Sequence, residues 1–388
     1  MIVVVGAGPA GLALGYHLQR RGADFCMLEQ SQAGATWAQH YEHLHLHSLK
    51  QVSGLPGYPM PAEYPDFPSK QQFHAYLQAY AAHFALPIRS GVRLEQLSPL
   101  HDHPRSAWQL HIQDSQQTRL EQLSADIVVM ATGIWQQPYM PHFPGQESFP
   151  GDILHANAYQ RPQDFAGKRV LVVGSGNSGA EIAVKVSEVA ESVGIVIRDG
   201  VAMVAHPRSA LRARIAAALL RRVPAALSNA YLARNRPDFS HLGLPLPDKP
   251  PLQHYPVVGF HLAEAVAAGN VQVYSSIARL QAEQVHFEDG KQQAFDSIIL
   301  ATGYRPALSI FGTALSDDPQ ELQAGRSSHY QTLFYLGYRY PVVEAWLQAI
   351  GRVSADTAQA IVTLQQQMSN SSKPSDTQRS AGQPFVSR

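Results

Sequence analysis

Short apolar runs recur along the chain. They lie at residues 2–5, 25–28, 169–173 and 192–197, and again in "DIVVMATG" at 126–133 and "DSIILATGYRP" at 296–306. Runs that stay apolar at consecutive positions predict strands covered on both faces, as in a parallel sheet. Helical stretches should follow two of them, to about Arg21 and to about Ala190. Residues 42–48 behave differently. If extended, they place His43, His45 and His47 on one face and Leu44 and Leu46 on the other. Residues 206–236 read as one or two amphipathic helices rich in alanine and arginine. Near the end, a strand to Leu336 and Gly337 leads to a helix from about Ser354, and residues 369–388 are polar and aperiodic, as in a disordered tail.

What joins strand to helix carries the first chemistry. After residues 2–5 comes Gly6-Ala7-Gly8-Pro9-Ala10-Gly11, and the second strand ends at Glu29. The first glycine permits the tight turn, the second lets a pyrophosphate approach, and the third lets helix pack on strand. The helix N-terminus then faces the phosphates. Glu29 is placed to accept hydrogen bonds from a ribose diol. The pattern repeats after residues 169–173 as Gly174-Ser175-Gly176-Asn177-Ser178-Gly179, but here the residue after the next strand is Arg198. A carboxylate suits a free 2′-hydroxyl and repels a 2′-phosphate; a guanidinium suits the phosphate. The first unit is therefore expected to hold FAD and the second NADPH, with Arg208 assisting.

The fold class expected is α/β, with two Rossmann-like dinucleotide-binding domains. Both remaining runs end in Ala-Thr-Gly (Ala131, Thr132, Gly133; Ala301, Thr302, Gly303). They are expected to close each domain and return the chain to the other. This gives a discontinuous FAD domain, 1–150 plus 295–368, with an NADPH domain, 151–294, inserted into it.

Composition narrows the function without naming it. Of 388 residues, 45% are hydrophobic and 15% charged, and the formal net charge is zero. That balance gives no sign of a nucleic-acid binder. A single cysteine, Cys26, excludes an internal disulfide and a redox pair, and a reducing cytoplasmic setting is expected. No apolar run reaches 18 residues, so no integral membrane segment is expected, and the first residues belong to a nucleotide fold rather than a signal peptide.

Between the two domains stands Phe149-x-Gly151-x-x-x-His155-x-x-x-Tyr159. With this linker, both glycine fingerprints, Gly34-Ala35-Thr36-Trp37 and Ala301-Thr302-Gly303-Tyr304, the chain resembles the flavin-containing monooxygenases over nearly all of residues 1–365. That class uses FAD and NADPH on one polypeptide. Residues 44–81 look most like the plant YUCCA enzymes, which act on indole-3-pyruvate, and their bacterial relatives. In Baeyer–Villiger members tryptophan usually ends the linker motif; Tyr159 here favours oxygenation at nitrogen or sulfur, or another reaction of the flavin hydroperoxide.

The resemblance implies that Thr36, Trp37, Gln30 and Val92 lie against FAD, and that the stretch 350–354 passes near it. It implies that His45, His47 and Lys50 lie beside the flavin ring, with His47 and Lys50 as candidate catalytic residues, although many members carry asparagine where His47 stands. A hydrogen bond from His47 or His45 to flavin or substrate would make turnover pH-dependent. Structural histidines and a metal site are the alternatives, and no metal is expected. NADPH would reduce FAD, reduced flavin would add O2 to form a C4a-hydroperoxide, and the protein would exclude water from it. The partners are thus a small-molecule substrate (amine, sulfide or keto acid) and O2, with a homodimer left open. The rivals are a Baeyer–Villiger monooxygenase, an FAD/NADP(H)-binding redox sensor or oxidase, and, excluded by the lone cysteine, a disulfide reductase. Residues 206–236 are a solvated insertion, a gate for an anionic substrate, or a peripheral membrane contact.

Overall fold

The computed structural model describes residues 1–115, 120–312, 320–339 and 344–371. It contains two five-stranded, fully parallel sheets built to one plan. In the first the order is Leu333–Tyr335, Ile127–Met130, Ile2–Val5, Phe25–Glu29, Ile88–Ser90. In the second it is Gln272–Tyr274, Ser192–Val196, Arg169–Val173, Ser297–Leu300, Asp152–His155. Each glycine-bearing strand is central in its sheet, with the strand before Ala-Thr-Gly on one side and the strand before Glu29 or Arg198 on the other. Burial explains the apolar runs: Ile2–Val5, Ile127–Met130 and Ser297–Leu300 are buried at every position. Each unit also carries a three-stranded antiparallel sheet just before its Ala-Thr-Gly strand, formed by Val92–Pro99, Trp108–Asp114 and Leu120–Ala125 in the first and by Ile277–Gln281, Gln284–Phe287 and Gln292–Ala294 in the second.

This topology corrects one boundary. Ser297–Leu300 pairs with Arg169–Val173 and Asp152–His155, so it is part of the second sheet. The chain leaves that sheet beyond Gly303, not at 294/295, because the apolar run is spent closing the second sheet. The two crossings then pair with each other: Gln137–Pro138 runs antiparallel to Tyr304–Arg305.

Other edges also differ from expectation. The first glycine helix is Pro9–Gln19 and the second Asn177–Val186, each ending a little early in a polar turn. The C-terminal helix spans Trp346–Ser371, starting eight residues before Ser354. Leu347 and Ile350 supply buried contacts that outweigh the helix-weakening Gly351. Residues 369–371 are therefore helical, and the rest of the expected tail lies outside the described residues. Residues 206–236 hold two helices, Ala210–Leu220 and Ala225–Asn235.

Candidate functional site: a flavin cavity and a second nucleotide cradle

The glycines show why each turn has its shape. Gly6 has φ +104°, and a Cβ there would lie 2.6 Å from the carbonyl oxygen of Ala131. A Cβ on Gly11 would fall 1.9 Å from the carbonyl oxygen of Gly6, so helix and strand close only over glycine. Around Gly8 there is nothing within 4 Å. The second unit repeats this. Gly174 has φ +116° and a Cβ distance of 2.5 Å to the Ala301 oxygen; Gly179 would meet the Gly174 oxygen at 2.0 Å; Gly176 faces open space. Two glycines in each turn are thus demanded by backbone packing, and the middle one leaves a cradle that a Cβ would invade. A pyrophosphate at a helix N-terminus fits both cradles.

In the first unit the cradle opens into a cavity of about 600 Å³. Of the residues expected at FAD, Gly6, Gly8, Pro9, Ala10, Glu29, Gln30, Thr36, Trp37, Val92, Ala131, Thr132 and Gly133 line it; Gly11 lies behind the turn, where its packing role puts it. Glu29 is fixed at the rim by two backbone amides: Ala7 N–H donates to one carboxylate oxygen at 2.8 Å and Ser31 N–H to the other at 3.0 Å. A carboxylate held by two donors has lone pairs left for a diol. Thr132 shares a 2.6 Å hydrogen bond with the hydroxyl of Tyr338, which burial raises to about 12 and so keeps neutral.

The cavity also has walls the sequence reading missed. Trp135 makes edge contacts with Trp37, His40 and Trp346 at ring separations of 5.2, 4.8 and 5.4 Å. Burial, with Lys70 nearby, pushes His40 down to about 4, so it is a neutral, largely apolar wall at neutral pH. Leu347 and Ile350 complete this side from the C-terminal helix, so of the stretch 350–354 it is Ile350 that reaches the cavity. Trp135 lies two residues past an Ala-Thr-Gly turn, the one sequence signal that could have drawn attention to it.

In the second unit the functional groups are more open. Arg198 is 76% exposed and pairs with neighbouring Asp199 at 2.8 Å. Asn177 uses its amide on the backbone, donating to Pro256 O at 3.2 Å and accepting from Val258 N–H at 2.9 Å. Arg208 stands on a separate loop, by Ser209 and Arg212 around a shallow recess. Ala301, Thr302 and Gly303 form the turn by the crossing: Thr302 donates to Tyr139 O at 2.5 Å, and Tyr139 N–H donates to Gly303 O at 2.9 Å.

Each element of the linker motif has a structural reason. A Cβ on Gly151 would meet the Asp296 oxygen at 2.1 Å. Phe149 is buried in the core of the second unit. His155, also buried, is 2.9 Å from the Gly303 carbonyl through Nε2, which ties the linker to the second crossing. Tyr159 is buried against Tyr41, His43 and Phe165.

The histidine segment keeps its alternation but forms no continuous strand. Its ladder is one antiparallel bridge, His45 to Ser69, and Leu44 and Leu46 are buried. His45, His47 and Lys50 do not line the flavin cavity. Lys50 is held by the carbonyls of Ala62 and Tyr64. His45 is exposed and bonds through Nδ1 with His43 O at 2.9 Å. His47 instead reaches the second glycine helix, with Nε2 3.3 Å from a carboxylate oxygen of Glu181. Tyr41 donates to the other oxygen at 2.5 Å. Burial pushes His47 down to about 4, so its imidazole is neutral at neutral pH, and burial also raises the Glu181 carboxyl above the usual carboxylate range. Among the described residues no three His, Cys, Asp or Glu side chains converge as a metal would require.

Two glycine cradles on two parallel sheets, one opening into an aromatic-walled cavity, define a flavoprotein that uses a second nucleotide. Comparison with known proteins makes this specific. The family model for "Flavin-binding monooxygenase-like" proteins matches residues 21–365, and that for an FAD binding domain matches residues 1–40. The chain belongs to the flavin-binding monooxygenases: it is a flavin-dependent monooxygenase, of the class whose cofactors are FAD and NADPH. It is 35% identical over 316 residues to an indole-3-pyruvate monooxygenase, YUCCA1, of Oryza sativa subsp. japonica, covering 78% of this chain and 76% of that one. Among solved structures, a flavin-containing monooxygenase from Stenotrophomonas maltophilia superposes with TM-score 0.72 at 27% identity, covering 94% and 98% of the two chains. Cyclohexanone monooxygenase (TM-score 0.69, 15% identity, 95% and 88% covered) shares the fold.

Proposed function

We propose that this protein is an NADPH-dependent FAD monooxygenase that oxygenates a small organic substrate, with an aryl keto acid the first candidate. The observation that carries the reading is the pairing of two cradles with opposite charge beyond them, Glu29 in one unit and Arg198 in the other. When bound, FAD would supply the redox chemistry that couples oxidation of NADPH by O2 to transfer of one oxygen atom to the substrate, the other leaving as water. The chain's own residues do the rest. Gly6, Gly8, Pro9 and Ala10 admit the pyrophosphate, and Glu29 holds the ribose. Trp37, His40, Trp135 and Trp346 exclude water from the cavity, which matters because water promotes loss of oxygen as peroxide. Gly174, Gly176, Ser178 and Gly179 receive the second nucleotide and Arg198 its 2′-phosphate. Similarity to indole-3-pyruvate monooxygenases supports a keto acid over an amine or sulfide.

Stopped-flow absorbance tests this. The purified flavoprotein is reduced with one equivalent of NADPH and mixed with O2. A long-lived species distinct from oxidised and reduced FAD, decaying faster with an aryl keto acid than with amines, sulfides or ketones, is the expected result. Reoxidation with stoichiometric peroxide, unchanged by any substrate, would overturn it in favour of an oxidase or sensor. Faster decay with ketones and an ester product would identify a Baeyer–Villiger enzyme.

A further inference from the structure

The two helices Ala210–Leu220 and Ala225–Asn235 carry a surface that the monooxygenase reading does not use. On the first helix Leu211, Ile215 and Leu219, spaced four apart on one stripe, are 67%, 51% and 58% exposed. Val223, Leu227 and Tyr231 extend the exposed apolar surface across the turn and onto the second helix. The opposite side of the first helix faces the body: Ala217 is buried, Arg214 donates to Gln51 O at 2.6 Å, and Arg221 pairs with Glu344 at 2.5 Å. Arg212, Arg222 and Arg234 are exposed with the leucines. From Gly200 to Pro237 the sequence holds seven arginines and no aspartate or glutamate, although the whole chain is neutral.

We infer that this helical pair is a docking surface for an anionic lipid bilayer, lying in its interface without crossing it. Exposed leucine, isoleucine and tyrosine beside arginine suit a headgroup layer, where apolar side chains enter the acyl boundary and guanidinium groups meet phosphate. A second copy of the chain is disfavoured by charge. A two-fold contact sets the same patch against itself and brings arginine to arginine. No described helix is long and apolar enough to cross a membrane, so attachment would be peripheral and reversible. The same helix touches the turn beside Lys50 through Arg214, so docking would set this edge of the flavin-binding unit at the lipid surface.

Vesicle flotation of the full-length holoenzyme tests this, with neutral phosphatidylcholine vesicles and with vesicles that also contain phosphatidylglycerol. Binding to the anionic vesicles alone, weakened by salt, is expected. Arg212→Glu with Arg234→Glu should weaken it more than about 25-fold, at roughly fivefold per arginine charge removed. Leu211→Ser with Ile215→Ser and Leu219→Ser should abolish it. Both variants should keep wild-type FAD content and helical circular dichroism, which separates lost docking from lost folding. No difference between the two vesicle types would overturn the proposal. So would a dimer in solution that the leucine variant dissociates while vesicles bind neither protein.

Discussion

The two nucleotide units share a strand order and a glycine geometry to within a few tenths of an ångström, yet they are finished differently. The first encloses its cradle under three tryptophans and the start of the C-terminal helix, with Glu29 clamped by two amides. The second leaves Arg198 in solvent against a neighbouring aspartate. Enclosure slows release, and exposure lets a ligand exchange on each turnover. Under the proposed function, the same backbone device would serve a resident cofactor in one unit and a passing cosubstrate in the other.

The largest test of this comparison is steric. Gly11→Ala should cost more than about 4 kcal/mol, seen as loss of Tm and flavin content, because its Cβ would overlap a carbonyl oxygen. Gly179→Ala faces the same overlap, yet should lose reduction by NADPH while retaining FAD. Loss of FAD from both variants would show that the units are one cooperative block. A gentler pair is Gly8→Ala and Gly176→Ala, where the added methyl meets only ligand. Each should weaken its own nucleotide and leave the stability of the ligand-free protein unchanged by calorimetry.

Next in size is Glu29→Gln, expected to weaken FAD binding by about 1–3 kcal/mol in a fluorescence titration of apoprotein. Arg198→Ala should raise the KM for NADPH about tenfold relative to that for NADH, the worth of one exposed charged hydrogen bond. An equal rise for both coenzymes would remove Arg198 from phosphate recognition.

The smallest effect concerns the contact between the units. His47→Asn should cost about 1 kcal/mol near pH 7.5 by denaturant unfolding, through loss of the buried polar contact with Glu181. Its pH dependence has a definite sign. Folded His47 titrates near 4 and the unfolded residue near 6.5, so the unfolded chain binds the extra proton between these values. Wild-type stability therefore falls as pH drops through that window. The variant lacks this loss, so a gap of about 1 kcal/mol should close just below pH 6 and reverse by pH 5. A gap that widens in acid would mean that His47 is charged and ion-paired.

Much of this architecture was legible in the chain. Residues 2–5, 127–130 and 169–173 read as buried strands because an apolar run without alternation has no wet face, and the sheets cover all three. The glycine turns read correctly because a missing Cβ is a local property with a local cause. Less legible was the boundary at residue 294, since a buried strand does not announce which of two similar sheets it joins. The direction of Lys50 was also beyond spacing alone, because it depends on the carbonyls of Ala62 and Tyr64.

By itself, then, the sequence determined two α/β nucleotide units, the opposed charges at Glu29 and Arg198, and which side of residues 42–48 is apolar. These follow from side-chain size, charge and periodicity over a few residues. Only the tertiary structure decided that Trp135, His40 and Trp346 wall one cavity, that His47 turns to Glu181, and that Leu211, Ile215 and Leu219 face outward. Those outcomes rest on residues tens to hundreds of positions apart. Packing brings them together, and no short-range pattern encodes it.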